Sequence, residues 1–282
     1  MNIGIIAYGT VGKAIYAAFK DKAVPHVFDP AHPPQQHFKA SIEEVWQACQ
    51  FTFIAVPTPQ KSFDDKQGGV FDSSHVDHTL ATFAAAERAQ GSQDKIAVLV
   101  STTLPSKVKD YVERYPQLKL VVFPEFLTER NSTEDFLNPT FRVIGGEPQH
   151  ARALQELFKQ YSTCAPCKTG YCDAIGAAFI KYMLNTFLAV KVSFLNQYYG
   201  LFQHSGSRTD WVELSELLHY DTRIGNSHRD VPGHDGDRGF GGKCLPKDIN
   251  AIMSDAREQG VPLSLLEEAW KYNLRVRKKI DW

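Results

Sequence analysis

Asn2-Ile3-Gly4-Ile5-Ile6-Ala7-Tyr8-Gly9-Thr10-Val11-Gly12 is the stretch on which the fold turns. Its apolar run ends in closely spaced glycines, and residues 11–19 then carry apolar side chains at helical spacing. A strand that passes through a glycine turn into a helix opens a βα unit. The alternation continues outward, with strands expected at 26–28, 51–56, 96–101 and 118–123 and helices at 42–49 and 75–90. That order predicts an α/β architecture with a mostly parallel sheet covered by helices on both faces.

After a last short strand at 142–146 the pattern changes. Residues 147–160 read as a helix, and from about 173 to 204 apolar positions recur at helical spacing, giving one long connecting helix. Further helices are expected at 210–218, 246–259 and 263–279, with a glycine-rich loop at 233–242. The chain therefore reads as a Rossmann-like, doubly wound domain over 1–165 and a mostly helical domain over 173–282. Residues 162–173, where three cysteines, a proline and a glycine break both periodicities, are the expected boundary.

Composition narrows the classes of function. The 282 residues are 43% apolar and 22% charged with a net charge of −1, so no global basic field favours nucleic acid or an anionic membrane. The most lipid-like stretch, 177–195, is interrupted by Lys181, Asn185 and Lys191, and no transmembrane helix is expected. The first residues lack a basic region ahead of their apolar run and are read as a strand rather than a signal peptide. Five cysteines, odd in number and sparse, suit a reducing cytoplasm. Cys164, Cys167 and Cys172 lack a fourth ligand at convincing spacing, so no metal is expected.

Chemistry is first visible at the opening turn. Gly9 lets backbone approach a pyrophosphate, Gly12 allows close helix packing, and the N–H groups of Thr10 and Val11 open a helix N-terminus to an anion. A purely structural glycine turn has the same sequence. Asp29 follows Gly12 by 17 residues at the end of the second strand, where a carboxylate accepts from a ribose 2′-OH and favours NAD over NADP. The bland alternative is a turn aspartate before Pro30. Cys244 precedes a helix whose first turn holds Pro246, Lys247 and Asp248, and a helix N-terminus with a nearby ammonium favours thiolate. Lys181 and Asn185, four residues apart, share a helix face.

Further segments carry a resemblance. They are Val56-Pro57-Thr58-Pro59, Ser101-Thr102-Thr103-Leu104-Pro105, Pro124-Glu125-Phe126-Leu127, Asp135-Phe136-Leu137-Asn138-Pro139, Lys181-Tyr182-Met183-Leu184-Asn185, Arg223-Ile224-Gly225 and Gly239-Phe240-Gly241-Gly242-Lys243-Cys244-Leu245-Pro246-Lys247-Asp248. With these, in this order, the chain resembles the UDP-glucose/GDP-mannose dehydrogenase family along essentially its whole length. The resemblance implies oxidation of a nucleotide-sugar C6 alcohol to a carboxylate with two NAD molecules reduced. It implies that Thr102, a water and Asp248 assist proton removal, that Lys181 and Asn185 stabilise the oxyanion, that Cys244 attacks the aldehyde, and that Glu125 helps water hydrolyse the thioester. It also implies cofactor contacts from Gly9, Thr10, Val11, Gly12, Asp29, Pro57, Thr58, Thr102 and Glu129. Substrate contacts would come from Arg223, Phe240, Gly241, Gly242 and Lys247, with Arg223 reaching into a neighbouring subunit.

The apolar residues around the long helix, with little chain to cover them, lead us to expect a homodimer packed across it. Three departures from the family stand out. Ala178 replaces a usual glutamate, Phe123 a usual asparagine and Arg130 a usual glycine. Family members also continue into a second α/β domain that holds much of the nucleotide, whereas the sequence here stops at Trp282, a shorter form. Weak oxidation is the expectation from that length, with Arg229, His234 and Arg238 offering a substitute anion contact. Two other readings remain open: a 3-hydroxyacid or 6-phosphogluconate-like dehydrogenase, and a non-catalytic NAD-binding or assembly protein.

Overall fold

Strand β1 (Asn2–Ile6) is an interior strand, paired on both sides in its sheet, and its alternation is the reason. Ile3 and Ile5 pack into one buried cluster and Ile6 into another, so both faces of the strand are covered. The computed structural model describes residues 1–64, 68–90, 94–128 and 130–282. Two compact units are present, Met1–Pro59 with Phe71–Lys181, and Gln60–Val70 with Tyr182–Trp282.

The first unit continues with α1 (Thr10–Phe19), β2 (Val24–Phe28), α2 (Ile42–Ala48) and β3 (Phe51–Ile54). Next in the chain come β4 (Gln60–Asp64) and β5 (Gly68–Phe71), which pair as a separate two-stranded sheet. They are followed by α3 (Ser74–Gln90), β6 (Ile96–Leu99), α4 (Pro105–Arg114), β7 (Lys119–Val122), α5 (Ser132–Leu137), β8 (Phe141–Gly145), α6 (Pro148–Tyr161) and β9 (Lys168–Cys172). The main sheet has seven strands in the order β2-β1-β3-β6-β7-β8-β9. All its pairings are parallel except β7 with β8. Strand order reverses between β1 and β3, and in an open α/β sheet the crevice at the carboxyl ends of such strands receives the ligand.

Helices α1 and α6 cover one face through Ile15, Phe19, Leu154 and Phe158, and α2, α3 and α4 cover the other through Trp46, Phe83 and Tyr111. The sheet and its helices are as the sequence indicates, with two corrections. Residues 162–173 contain strand β9, paired in register with β8, where only a break in periodicity was expected. Its residues Lys168-Thr169-Gly170-Tyr171-Cys172 are only partly covered, as befits an edge strand, and so lack an apolar alternation to read. The β4–β5 pair and the helices α4 and α5 are not signalled by the sequence pattern.

Helix α7 (Ala174–Phe202) follows, then α8 (Trp211–Leu217), α9 (Leu245–Glu258) and α10 (Ser264–Val276). By length and apolarity alone α7 is able to cross a membrane. Its polar residues, however, are engaged by protein. Lys191 donates to the carbonyls of Ile224, Gly225 and Ser227, and Asn196 accepts from Gly239. In the second unit Ala189, Val192, Phe240, Ile249, Met253 and Trp270 form the core.

The tightest backbone approach in the first unit is at Gly12, where a Cβ would lie 2.1 Å from the carbonyl oxygen of Ala7. Gly12→Ala is therefore expected to destabilise the protein by about 1–3 kcal/mol through overpacking. A reduced denaturant midpoint is the readout, and an unchanged midpoint shows that α1 can move aside without cost.

Candidate functional site

At the switch point, Gly9 ends the strand-to-helix turn as the N-cap of α1, and no side chain caps the helix. A Cβ on Gly9 would meet nothing within 4 Å, and the first turn holds no acidic residue. Open space beside Gly9, at a helix N-terminus that no side chain caps, suits a pyrophosphate. Gly12 is buried behind the turn, while Thr10 is exposed and Val11 half-buried at its mouth. Ala7 stands at the first glycine position with φ 76, a left-handed conformation that costs a residue with a Cβ about 1–2 kcal/mol.

Asp29 ties the end of β2 to this turn. Its Oδ2 accepts from the Tyr8 N–H at 2.7 Å and its Oδ1 from the Ala31 N–H at 2.8 Å. Burial alone would raise its pKa, but these bonds and His32, 3.5 Å away, hold it below the ordinary carboxylate range. The turn role and the ribose role are thus compatible, because each carboxylate oxygen keeps acceptor capacity. Pro57 is exposed and Thr58 buried in the loop after β3, and Thr102 is half-buried in the loop after β6. Glu129 lies outside the described residues.

The same unit brings Lys181 and Glu125 together. Lys181 is 6% exposed, and its Nζ donates to the Glu125 carbonyl at 2.6 Å and to the Glu125 carboxylate at 3.0 Å. The ammonium also lies 5.5 Å from the Phe126 ring centroid. The departures from the family have local causes here. Ala178 is buried in the apolar cluster beneath α7, where a carboxylate would go unpaired, and Phe123 sits in an aromatic group with Phe136 and Phe158.

In the second unit Asp248, 1% exposed, accepts from Asn185 Nδ2 at 2.6 Å and from Lys247 Nζ at 2.6 Å. Cys244 is exposed at the N-cap of α9. Burial pushes the pKa of the Cys49 thiol up to about 12 and raises those of Cys164 and Cys172, which makes these three less suited to react. Among the described residues no group of three or more His, Cys, Asp or Glu could hold a metal ion.

Several expected substrate residues have structural duties. Phe240 is 3% exposed and packs in the core near Trp270, so its ring is not a surface contact. A Cβ on Gly241 would meet Arg277, and one on Gly239 would meet Asn273. Gly242 donates its N–H to Asp281 at 3.0 Å. Arg238, read as an anion contact, is held by the Asn196 carbonyl and the Tyr272 hydroxyl, and its guanidinium lies over the Tyr199 ring. Arg229 donates to the Ser215 carbonyl, and Arg223 is exposed in an ion pair with Asp221. Asn196, Asn273, Arg277 and Asp281 carry no local signal, because the glycine-tract residues they hold lie 33 to 43 positions away along the chain.

Comparison with known proteins now decides the family. Residues 26–162 match the NAD binding domain, and residues 176–275 the central domain, of the UDP-glucose/GDP-mannose dehydrogenase family. The chain belongs to that family. A UDP-glucose 6-dehydrogenase of Haloferax volcanii is 32% identical over 237 residues, covering 79% of this chain and 51% of that protein. One from Pseudomonas aeruginosa is 30% identical over 259 residues, covering 86% and 52%. This member of the family thus spans about half the length of such relatives. The structure of a UDP-glucose dehydrogenase from Pyrobaculum islandicum superposes with a TM-score of 0.80 at 25% identity, over 97% of this chain and 68% of that one. A Mycobacterium tuberculosis 3-hydroxyisobutyrate dehydrogenase shares the fold with a TM-score of 0.74 at 16% identity, covering 97% and 92%.

Removing the Asp248 carboxylate leaves the buried Asn185 amide without its acceptor, so Asp248→Ala should cost about 1–3 kcal/mol. Asp248→Asn, which keeps one acceptor oxygen, should cost less. Urea denaturation compares the two, and equal stabilities would show that the Asn185 contact contributes nothing.

Proposed function

We propose that this chain oxidises the C6 primary alcohol of a nucleotide sugar, UDP-glucose foremost, to the carboxylate in two NAD-dependent steps with Cys244 as nucleophile. The observation that carries this reading is the exposed Cys244 thiol at the N-terminus of α9, in the unit that holds the Asn185–Asp248 pair. The names of the relatives support the substrate class.

The Ala7–Gly12 turn and Asp29 would hold NAD, which would accept one hydride per molecule, so the NADH of the first oxidation is exchanged for a second NAD before the second. In the first, Thr102, a water and Asp248 assist removal of the hydroxyl proton as the C6 carbon gives up hydride. Lys181 and Asn185 stabilise the negative charge that develops on the C6 oxygen. The Cys244 thiolate then adds to the aldehyde carbon, forming a thiohemiacetal. Loss of a second hydride to the second NAD, and of the hydroxyl proton to solvent, gives a thioester. Water, activated by Glu125, attacks the thioester carbon, the C–S bond breaks, and the acid leaves with the thiol regenerated. Glu129 and Lys247 are assigned supporting contacts to cofactor and substrate. A hydroxyacid dehydrogenase of this fold has use for Lys181 and Asn185 but none for the Cys244 thiol.

A homodimer completes the proposal. On α7 the side chains of Phe179, Met183, Phe187, Phe194, Tyr198 and Leu201 are exposed and recur at helical spacing. A second copy covering that face would bury them, and the exposed Arg223 would reach the partner's substrate. Five cysteines, odd in number and sparse, support a reducing, cytoplasmic setting for this chemistry.

NADH formation is measured on UDP-glucose, other nucleotide sugars, glucose 1-phosphate and glucose. Two NADH per nucleotide sugar are expected, with NAD strongly preferred over NADP and Asp29→Ala narrowing that preference. Cys244→Ser should stop acid release, and Lys181→Ala should raise the barrier by about 2.7–4 kcal/mol, by analogy with lost oxyanion donors. Acid formation at the normal rate by Cys244→Ser would overturn the covalent route, and a fully active monomer in light scattering would overturn the shared site.

A further inference from the structure

The glycine tract ahead of Cys244 is shaped from outside. Gly239 and Gly242 have φ of 72 and 73, and without side chains such residues cannot fix their own conformation. Asn273 brackets Phe240, its Oδ1 accepting from the Phe240 N–H at 2.7 Å and its Nδ2 donating to the Phe240 carbonyl at 2.9 Å. Arg277, with a side chain only 1% exposed, donates to Asp235 at 2.6 Å and to both oxygens of Asp281 at 3.0 and 2.9 Å. Its guanidinium lies against Gly241, where a Cβ would approach it to 1.9 Å. Asp281 in turn accepts the Gly242 N–H at 3.0 Å. Asp237 accepts the N–H groups of Lys278 and Lys279 at 2.8 and 2.7 Å.

Residues 235–242 are thus buckled along their length to residues 273–281, and Cys244 lies two residues beyond the last fastening. We propose that Arg277 and Asp281 are positioning residues for the Cys244 thiol: they set the backbone that delivers Sγ to the aldehyde carbon. The proposal rests on the reading of Cys244 as nucleophile. Neither residue touches the reacting atoms, and both act through Gly241 and Gly242. Arg277 is suited to the task because one guanidinium meets two carboxylates while standing against Gly241. A nucleophile misplaced by about 1 Å loses on the order of 100-fold in rate, so a loosened buckle is costly without unfolding the unit.

The test compares Asp281→Ala, Asp281→Asn, Arg277→Met and Cys244→Ala in the 282-residue protein. Asp281 is 41% exposed, so its truncation opens no buried cavity, and it keeps the test decisive if Arg277→Met does not fold. Three quantities are read: oxidation of the nucleotide 6-aldehydo sugar to the acid, KM for NAD, and the rate of Cys244 alkylation by iodoacetamide, located by peptide mass spectrometry. Asp281→Ala and Arg277→Met are expected to lower kcat for aldehyde oxidation about tenfold or more with KM for NAD unchanged. Both should also alter the alkylation rate. Asp281→Asn, whose amide oxygen still accepts from Gly242, should recover most of the loss. Folded Asp281→Ala and Arg277→Met proteins with wild-type aldehyde oxidation and alkylation would overturn the proposal, as would a parallel loss in kcat and KM that Asp281→Asn fails to rescue. Acid formation by Cys244→Ala would instead remove the nucleophile reading, while the alkylation rates would still report whether the buckle fixes the thiol.

Discussion

Close approach of backbone to backbone at the end of β1 is the constraint on which the first unit depends. Helix α1 can begin where it does only because Gly12 presents no Cβ to the Ala7 carbonyl. That approach sets the N–H groups of the helix at the carboxyl end of the sheet, at the point where strand order reverses. Asp29 then fixes the turn from the neighbouring strand through the Tyr8 N–H. The strained φ of Ala7 is tolerated because strand, helix and carboxylate all hold it.

The second unit solves a similar problem by different means. Its glycine tract carries no regular structure, so the conformation comes from Asn196, Asn273, Arg277 and Asp281 on other segments. Glycine in both places permits contact at distances a side chain would forbid. In the first unit the contact frees N–H groups for an anion, and in the second it determines where a thiol stands. Electrostatics follow the same division, with Lys181 against Glu125 in one unit and Asp248 between Asn185 and Lys247 in the other.

Much of this was legible in the sequence because it is local. The βα alternation, the turn at Gly9 and Gly12, the four-residue spacing of Lys181 and Asn185, and the Cys244 segment are each contained in a few consecutive residues. What was not legible depends on partners far along the chain. Strand β9 has no apolar alternation, since it lies at a sheet edge, and only its pairing with β8 reveals it. Phe240 looks like a loop aromatic until its burial near Trp270 is seen. Arg238 looks like an anion contact until Asn196 and Tyr272 are found to hold it. Ala178 and Phe123 read as departures in a motif, yet each is explained by the apolar cluster it enters.

The central claim, that a single exposed thiol carries the sugar carbon through its second oxidation, is tested most directly by trapping. Protein turning over a nucleotide sugar with NAD is quenched in acid, digested and analysed by mass spectrometry. The account requires an adduct of the oxidised sugar on the peptide containing Cys244, sensitive to hydroxylamine as a thioester is. Acid product accumulating with no adduct on Cys244, at quench times spanning the first turnover, would contradict it.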